Sequence, residues 1–587
     1  MCSINDDSAG GGGGGNVVML TTTCGDIEAA AAVVVDDNIR EHRAKAREDD
    51  AASPSSSSSA CLISILRRLP VNESCHNVST LFLSGHCILA FLRVKGMCFV
   101  IGFLYAFEVK YWADLDSSSL MARDKICGEA IPLAKIACPV ALTTLLLFSK
   151  NIISMLFLGH MGKTELAGGS LAIGFANVTG YSVMKGLCMG MEPICCQAYG
   201  AKRFPLLSQT YIKMFLLLLS VSGPIILLWL NVEPVFIRLG QDRVISKVAK
   251  GYLVFCIPEL LANAHLNPLR AFLRTQGLNS PATLVATCAT VLHLPITYFL
   301  VTYLNLRVKG IALSSVLYAL NVNTGLLIYL VVSKVVIKPW VGASLASVAQ
   351  GWKPLMSLAV PSLFSVCLEW WWYEIILFLS GLLDNPDSCV AAMGILIQTT
   401  GTIYVFPFSL SLSISQRVGH GLGAGQPEQA RSAATAGFCI ALGVGLLAFG
   451  LSVALRSVLG RLYTTDQQVL GLIQIALPLL GLAEVGNSPQ TAACGALTGS
   501  ARPNLGVRIN MASFYLVGLP CAAVFAFKLN IGFRGLWLGL VAAQAACLTL
   551  MIFTLFQTDW KLQAKRAEEL TQTAAADKED AGTNLVT

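Results

Sequence analysis

The sequence predicts an all-α membrane protein with twelve transmembrane helices in two pseudo-symmetric six-helix lobes, and three observations lead there. Of 587 residues 55% are hydrophobic and only 13% charged, with a mean hydropathy of +0.65, whereas a soluble domain carries about a quarter of its residues as charges. From Pro132 onward the chain reads as apolar segments of membrane-spanning length separated by short polar links. The second half repeats the first: Pro132 and Pro354, Pro139 and Pro361, Gly159 and Gly381, Gly277 and Gly499, and Pro281 and Pro503 each stand 222 residues apart.

Residues 1–125 form an N-terminal extension of low complexity, expected to lack a fixed fold: "GGGGGNVV", "DDNIREHRAKAREDD" and "SPSSSSS" cannot bury an apolar face. Acidic residues occupy the start where a cleavable signal would place basic ones. Within the extension, "LFLSGHCILAFLRVKGMCFVIGFLYAFEV" at 81–109 is long enough to span, but Arg93 and Lys95 near its middle leave an interfacial helix and an extra span both open. Six helices then fill 126–333, at 132–158, 166–191, 206–230, 246–270, 281–304 and 310–333. A connecting segment at 334–353 follows. The second six occupy 354–557, at 354–382, 388–416, 430–455, 468–496, 509–529 and 534–557, and a cytosolic tail runs over 558–587. Helices are required because lipid offers the backbone no hydrogen bonds and no barrel-type alternation is present. The repeat extends to local chemistry. "QAYGAKR" near Gly200 pairs with "HGLGAGQ" near Gly423, and these Gly-Ala steps are expected to serve as helix C-caps and turns.

Composition excludes several function classes. The formal charge of +7 is scattered at segment ends rather than gathered among aromatics, so no nucleic-acid partner is expected. Those basic residues act as topology signals and favour both termini on the cytosolic side. No Walker pattern is present, and the 19 cysteines show neither a disulfide framework nor zinc-ligand spacing. His265 and His293 lie in apolar helices without spacing that builds a catalytic cluster, so an enzyme is not expected. Repeated lobes that rock about a midplane cavity are the architecture of secondary transporters, driven by an ion gradient and needing no bound cofactor.

One stretch raises the chemistry directly. In "CLEWWWYEIILFLSGLL", Glu369 and Glu374 flank three tryptophans and a tyrosine inside a segment apolar enough to span, where a charge costs about 3 kcal/mol. A carboxyl held among aromatic walls away from water favours its protonated form, which suits it to take up and release a proton. At helical spacing Trp372 and Tyr373 share the face of Glu369, while Glu374 points elsewhere. Gln398 and Tyr404 in the eighth segment and Glu484, Asn487 and Gln490 in the tenth are further candidates for a cavity wall, with an interhelical hydrogen-bond set as the equal alternative. Pro139 and Pro361 kink the symmetric first and seventh helices, and Glu192 in "MEPICCQAYGA" suits a gate or lobe-stabilising role. Lys185 is out of place inside the second helix and is expected either to snorkel or to pair with Glu192.

"PVALTTLLLFSKNIISMLFLGHMGKTELAGGSLAIGFANVTGYSVMKGLCMGMEPICCQAYGAKRF", "CLEWWWYE", "AAMGILIQTTGTIYVFPFSLSLSISQRVGHGLGAG" and "GLAEVGNSPQTAACGALTGSARP" together resemble the plant branch of the multidrug and toxic compound extrusion (MATE) family. The resemblance runs over residues 122–570 in order, through both halves. It implies a monomeric proton-coupled antiporter, two lobes forming a V around a central cavity, with small organic solutes and the bilayer as its partners. It also implies that Glu369, which matches the glutamate of a Glu-Trp-Trp pattern in eukaryotic relatives, couples the proton, and that Glu484 roughly matches a second acidic position. The aspartate that bacterial relatives carry in the first helix has no counterpart here, where Ser149, Lys150 and Asn151 are the polar residues. A lipid or oligosaccharide flippase of the same wider superfamily stays open as the alternative; it would want a basic cavity, for which Lys185 is the candidate. Plasma membrane, vacuole and Golgi or endosomal membranes are all compatible with the sequence.

Overall fold

The computed structural model describes residues 119–333 and 351–576. The N-terminal extension, its apolar stretch at 81–109, most of the connecting segment and the last eleven residues lie outside the described residues. Every long element within them is a helix. In the first lobe these are α1 (Ser119–Met161), α2 (Lys163–Ala176, Asn177–Tyr181, Ser182–Met189 and Met191–Gly200 in succession), α3 (Phe204–Leu230), α4 (Arg243–Thr275), α5 (Ser280–Tyr298 continued by Phe299–Tyr303) and α6 (Arg307–Ser333). The second lobe holds α7 (Trp352–Ser380), α8 (Pro386–Gly423), α9 (Pro427–Ala454), α10 (Gln467–Gly499), α11 (Pro503–Asn510 through Val524–Lys528) and α12 (Phe533–Phe556). A thirteenth helix, α13 (Trp560–Ala576), closes the described chain. Ten of the twelve are long and apolar enough to cross a membrane by composition alone. The other two are α2, which is broken into pieces, and α4, which carries Arg243, Lys247, Lys250, Glu259, Arg270 and Arg274.

The repeat is visible in how the helices begin. Asp242 caps α4, accepting from the amides of Val244 and Ile245 at 2.8 and 3.2 Å, and Asp466 caps α10, accepting from Gln468 and Val469 at 2.8 and 3.4 Å. Pro205 and Pro427 open α3 and α9 in the first turn, where a missing amide proton costs nothing. It extends into the lobe interiors. His265 Nδ1 meets Asn323 Oδ1 at 2.6 Å between α4 and α6, and Gln544 Nε2 donates to Asn487 Oδ1 at 3.3 Å between α12 and α10. His265 and Asn487 stand 222 apart, Asn323 and Gln544 221 apart, so each lobe ties the same two helices with a polar pair at the same depth.

The lobes meet chiefly as α2 with α7, α1 with α8 and the end of α2 with the end of α8, with α1 also lying against α9. The first two contacts exchange under the repeat. Leu355, Leu358 and Ala359 at the start of α7 belong to the first lobe's core, and Leu133 at the start of α1 packs with α8, α9 and α10 of the second. Glycine makes the closest approaches. A Cβ on Gly423 would stand 2.0 Å from the Gln197 carbonyl oxygen, one on Gly200 2.3 Å from that of His420, and one on Gly190 2.3 Å from Ala359 Cα. These glycines bring the lobes into backbone contact, a role added to the expected one: Ala201 and Ala424 are the C-caps of α2 and α8, their amides reaching back to the Gln197 and His420 carbonyls at 2.9 Å. The left-handed cap positions are Lys202 (φ 60°) and Gly425 (φ 70°), where the amides of Arg203 and Gln426 reach back to Ala198 and Gly421 at 2.8 Å.

The same end carries polar ties. Arg417 of α8 forks onto the Glu129 carboxylate of α1 at 2.7 to 3.0 Å, His420 Nε2 reaches the Thr275 carbonyl at 2.7 Å, and Gln197 Nε2 donates to the Gly499 carbonyl at 3.0 Å. The tail expected from 558 is not free: α13 contacts α2 and α3 of one lobe and α8 and α9 of the other, and Arg203 donates to the Thr571 carbonyl at 2.8 Å.

Candidate functional site

Mid-way along the helices, above the Gly190–Ala359 contact, the lobes separate around a cavity walled by α2, α7, α8, α10 and α11. Its empty space, open solvent at the mouth included, is about 720 Å³, and little of it is wide enough for more than a thin solute in the conformation described. A larger space of about 1010 Å³ lies by the start of α9 and the end of α12, lined by side chains such as Arg431 and Lys561, and it contains none of the intramembrane carboxyls.

Glu369 of α7 is on the cavity wall with Trp370 and with Tyr404 of α8. Gln490 of α10 lines the same space while only 1% exposed. Behind the wall Glu484 is buried, accepting from Asn487 Nδ2 at 2.9 Å, and Tyr373 lies within electrostatic reach of both Glu369 and Glu484. Asn487 in turn accepts from Gln544, so Glu484 belongs to a buried polar cluster joining α10 and α12.

The remaining expected residues are elsewhere. Trp372 is fully buried in the second lobe's core, its ring 5.8 Å from that of Phe514, so it packs the lobe instead of facing solute. Glu374 and Gln398 are exposed and lie off the cavity wall. The helical wheel put Trp372 and Tyr373 on the face of Glu369, but neither lines the cavity, and Trp370 is the tryptophan that reaches it beside Glu369. Pro361 lies inside α7, one residue before the wall begins at Ser362. Pro139 lies inside α1, and its carbonyl accepts from Thr143 of the same helix at 2.8 Å and from Thr283 of α5 at 3.1 Å, which joins these two helices. Glu192 is buried and pairs with Arg274 of α4, within the first lobe.

That pairing frees Lys185 from the role expected for it. Lys185 points from α2 across the lobe boundary, its ammonium 4.1 Å from the ring centre of Phe408 and 5.7 Å from that of Trp370, and it lines the cavity opposite Glu369. Sequence reasoning also missed Glu259. It receives the ammonium of Lys150 inside the first lobe, where α1 meets α4. The available signal was a lysine in the first span with no nearby acid, which a buried cation requires, and a lone glutamate in "FCIPELLANAHL".

Residues 139–299 and 361–524 match the MatE family pattern, two copies starting 222 residues apart at Pro139 and Pro361. The chain belongs to the MATE family. Protein DETOXIFICATION 53 of Arabidopsis thaliana is 57% identical over 450 residues, 77% of this chain and 92% of the relative, and DETOXIFICATION 49 of the same plant is 50% identical over 78% and 91%. The crystal structure of the eukaryotic MATE transporter AtDTX14 superposes with a TM-score of 0.73 at 30% identity, covering 76% of this chain and all of the other. This MATE protein is accordingly a multi-pass membrane transporter of the multidrug and toxic compound efflux type and not an enzyme, and its twelve helices in two lobes are the family's layout. Within it, the site built above is the space between the lobes, with the carboxyls on the second lobe and the lysine on the first.

Proposed function

We propose that this transporter exchanges protons for organic solutes through Glu369, with both termini in the cytosol and no nucleotide or bound cofactor. The observation that carries the reading is the placement of one carboxyl, Glu369, on the wall of the inter-lobe cavity beside Tyr404, with a second carboxyl, Glu484, buried in the same lobe. A carboxyl so placed holds either a proton or a positively charged group of a solute, and mutual exclusion of the two is what exchange requires. Lys185 is the one feature that favours a flippase for phosphate headgroups, but it shares the cavity with Glu369, which would repel a phosphate.

One proton exchanged for one solute without net charge gains about 1.4 kcal/mol per pH unit and about 2.3 kcal/mol per 100 mV, together enough for several-hundred-fold accumulation. The test is solute flux into sealed vesicles holding the full chain, under an imposed pH gradient without nucleotide. Glu369→Gln, isosteric but unable to release a proton, should abolish proton-driven flux while the protein reaches the membrane in normal amount. Wild-type flux with unchanged pH dependence in that variant would show that the carboxyl does not couple.

A further inference from the structure

The cavity walls carry opposite charges that do not meet. On the first lobe Lys185 rests against Phe408 and Trp370, and among the described residues no carboxylate oxygen lies within 4.0 Å of its ammonium. Aromatic faces offset only part of the desolvation of an ammonium, so this group is left in need of an anion. Arg270 of α4, half-buried and within electrostatic reach of Lys185, likewise has no carboxylate within 4.0 Å among the described residues, whereas its neighbour Arg274 is matched by Glu192. On the cavity wall the first lobe therefore presents Lys185, and the second presents Glu369, each within electrostatic reach of the other but without a direct ion pair among the described residues. Gln490 adds a second indication. Its Oε1 is buried on the wall and has no hydrogen-bond partner among the described residues, an acceptor awaiting a donor on the same side as Glu369.

A simple cation satisfies Glu369 but meets Lys185, and a simple anion meets the reverse. We propose that the cavity selects a dipolar organic solute, one with an acidic group, a protonated nitrogen and an apolar or aromatic body, its acid on Lys185 and its nitrogen on Glu369 and Gln490. The inference rests on the proton-exchange reading of Glu369 for its transport consequence: a proton taken up there removes the anchor of the nitrogen end and releases a solute of no net charge. The aromatic rings of Trp370, Tyr404 and Phe408 face the body of the solute. Lys185 then sets specificity by rejecting cations that lack an acid, which is discrimination by repulsion as well as by attraction.

The experiment uses three probes on one skeleton: 2-phenylethylammonium, 3-phenylpropionate and phenylalanine, which are the cation, the anion and the dipolar form. Binding to the purified full chain is read from the concentration dependence of its thermal stabilisation at neutral pH. Phenylalanine should bind about tenfold or more tightly than either single-ended probe, the size expected of one charged hydrogen bond. Lys185→Met should bring phenylalanine and 2-phenylethylammonium to equal affinity, and Lys185→Arg, which keeps the charge, should retain the preference, so that a loss in the first variant is not a folding defect. Equal or tighter binding of 2-phenylethylammonium by the wild type, preference for 3-phenylpropionate, stabilisation by none of the three, or an unchanged ratio in Lys185→Met would each overturn the proposal. No proton gradient enters this measurement. A tenfold ratio alongside normal flux in Glu369→Gln would therefore remove the proton-exchange reading alone.

Discussion

Gly423→Ala tests whether the glycine contacts hold one end of the transporter shut. A Cβ at this position would lie 2.0 Å from the Gln197 carbonyl oxygen and 2.7 and 2.8 Å from its carbonyl carbon and Cα, all backbone atoms of α2 that no rotamer change can move aside. Ordinary contact starts near 3.4 Å, so α8 and α2 must separate by about 1.4 Å there. Overpacking of this kind costs about 1–3 kcal/mol. Charged only to the conformation in which these helices touch, that cost moves the equilibrium roughly 5- to 150-fold toward a state open at this end. Cys196 reports the change, because it is 1% exposed, packed beneath Gly419 at the same contact. The rate of maleimide labelling at Cys196, located by mass spectrometry, should rise by that factor. Gly443→Ala on α9, with no atom within 4 Å of its would-be Cβ, should leave the rate unchanged. Wild-type labelling in Gly423→Ala would mean that this contact is not part of the closure.

Two further outcomes follow from packing inside the lobes. Lys150→Met leaves Glu259 buried without its cation and should lower stability by about 3–5 kcal/mol, while Lys150→Met combined with Glu259→Gln should recover most of the loss, read as thermal unfolding of the purified protein. Trp372→Ala empties the second lobe's core at a cost of about 3–5 kcal/mol, whereas Trp371→Ala, 41% exposed next to it, should shift the unfolding temperature little; equal effects would mean that α7 is rotated from the orientation described.

Segment length and the 222-residue repeat made the lobes legible, because both are one-dimensional properties of the chain. Glu369 was legible for the same reason: an acid in an apolar run needs no partner to be noticed. Which face of α7 turns to the cavity was not, since the helix is apolar all round and its periodicity gives no direction, and this put Trp372 on the wrong side. Lys185 and Glu192 are seven residues apart on one helix, so the sequence offered their pairing beside snorkelling; the preference of Glu192 for Arg274 depends on α4 lying alongside, a contact 82 residues away in the chain. The Gly-Ala steps were legible as helix ends, but their second role was not, because a glycine's close approach to another backbone cannot be seen until the opposing helix is in place.

The placement of α13 has a consequence for timing. Leu570 packs against the first lobe's core while Ala564 and Ala567 pack with the second lobe's cluster, so one helix bridges the boundary at the end where the backbones touch. Any cycle that parts the lobes there must first peel this strap from one of them. Such a strap lies off the wall that carries Glu369 and Lys185, so a change in α13 acts on the parting of the lobes without touching that wall.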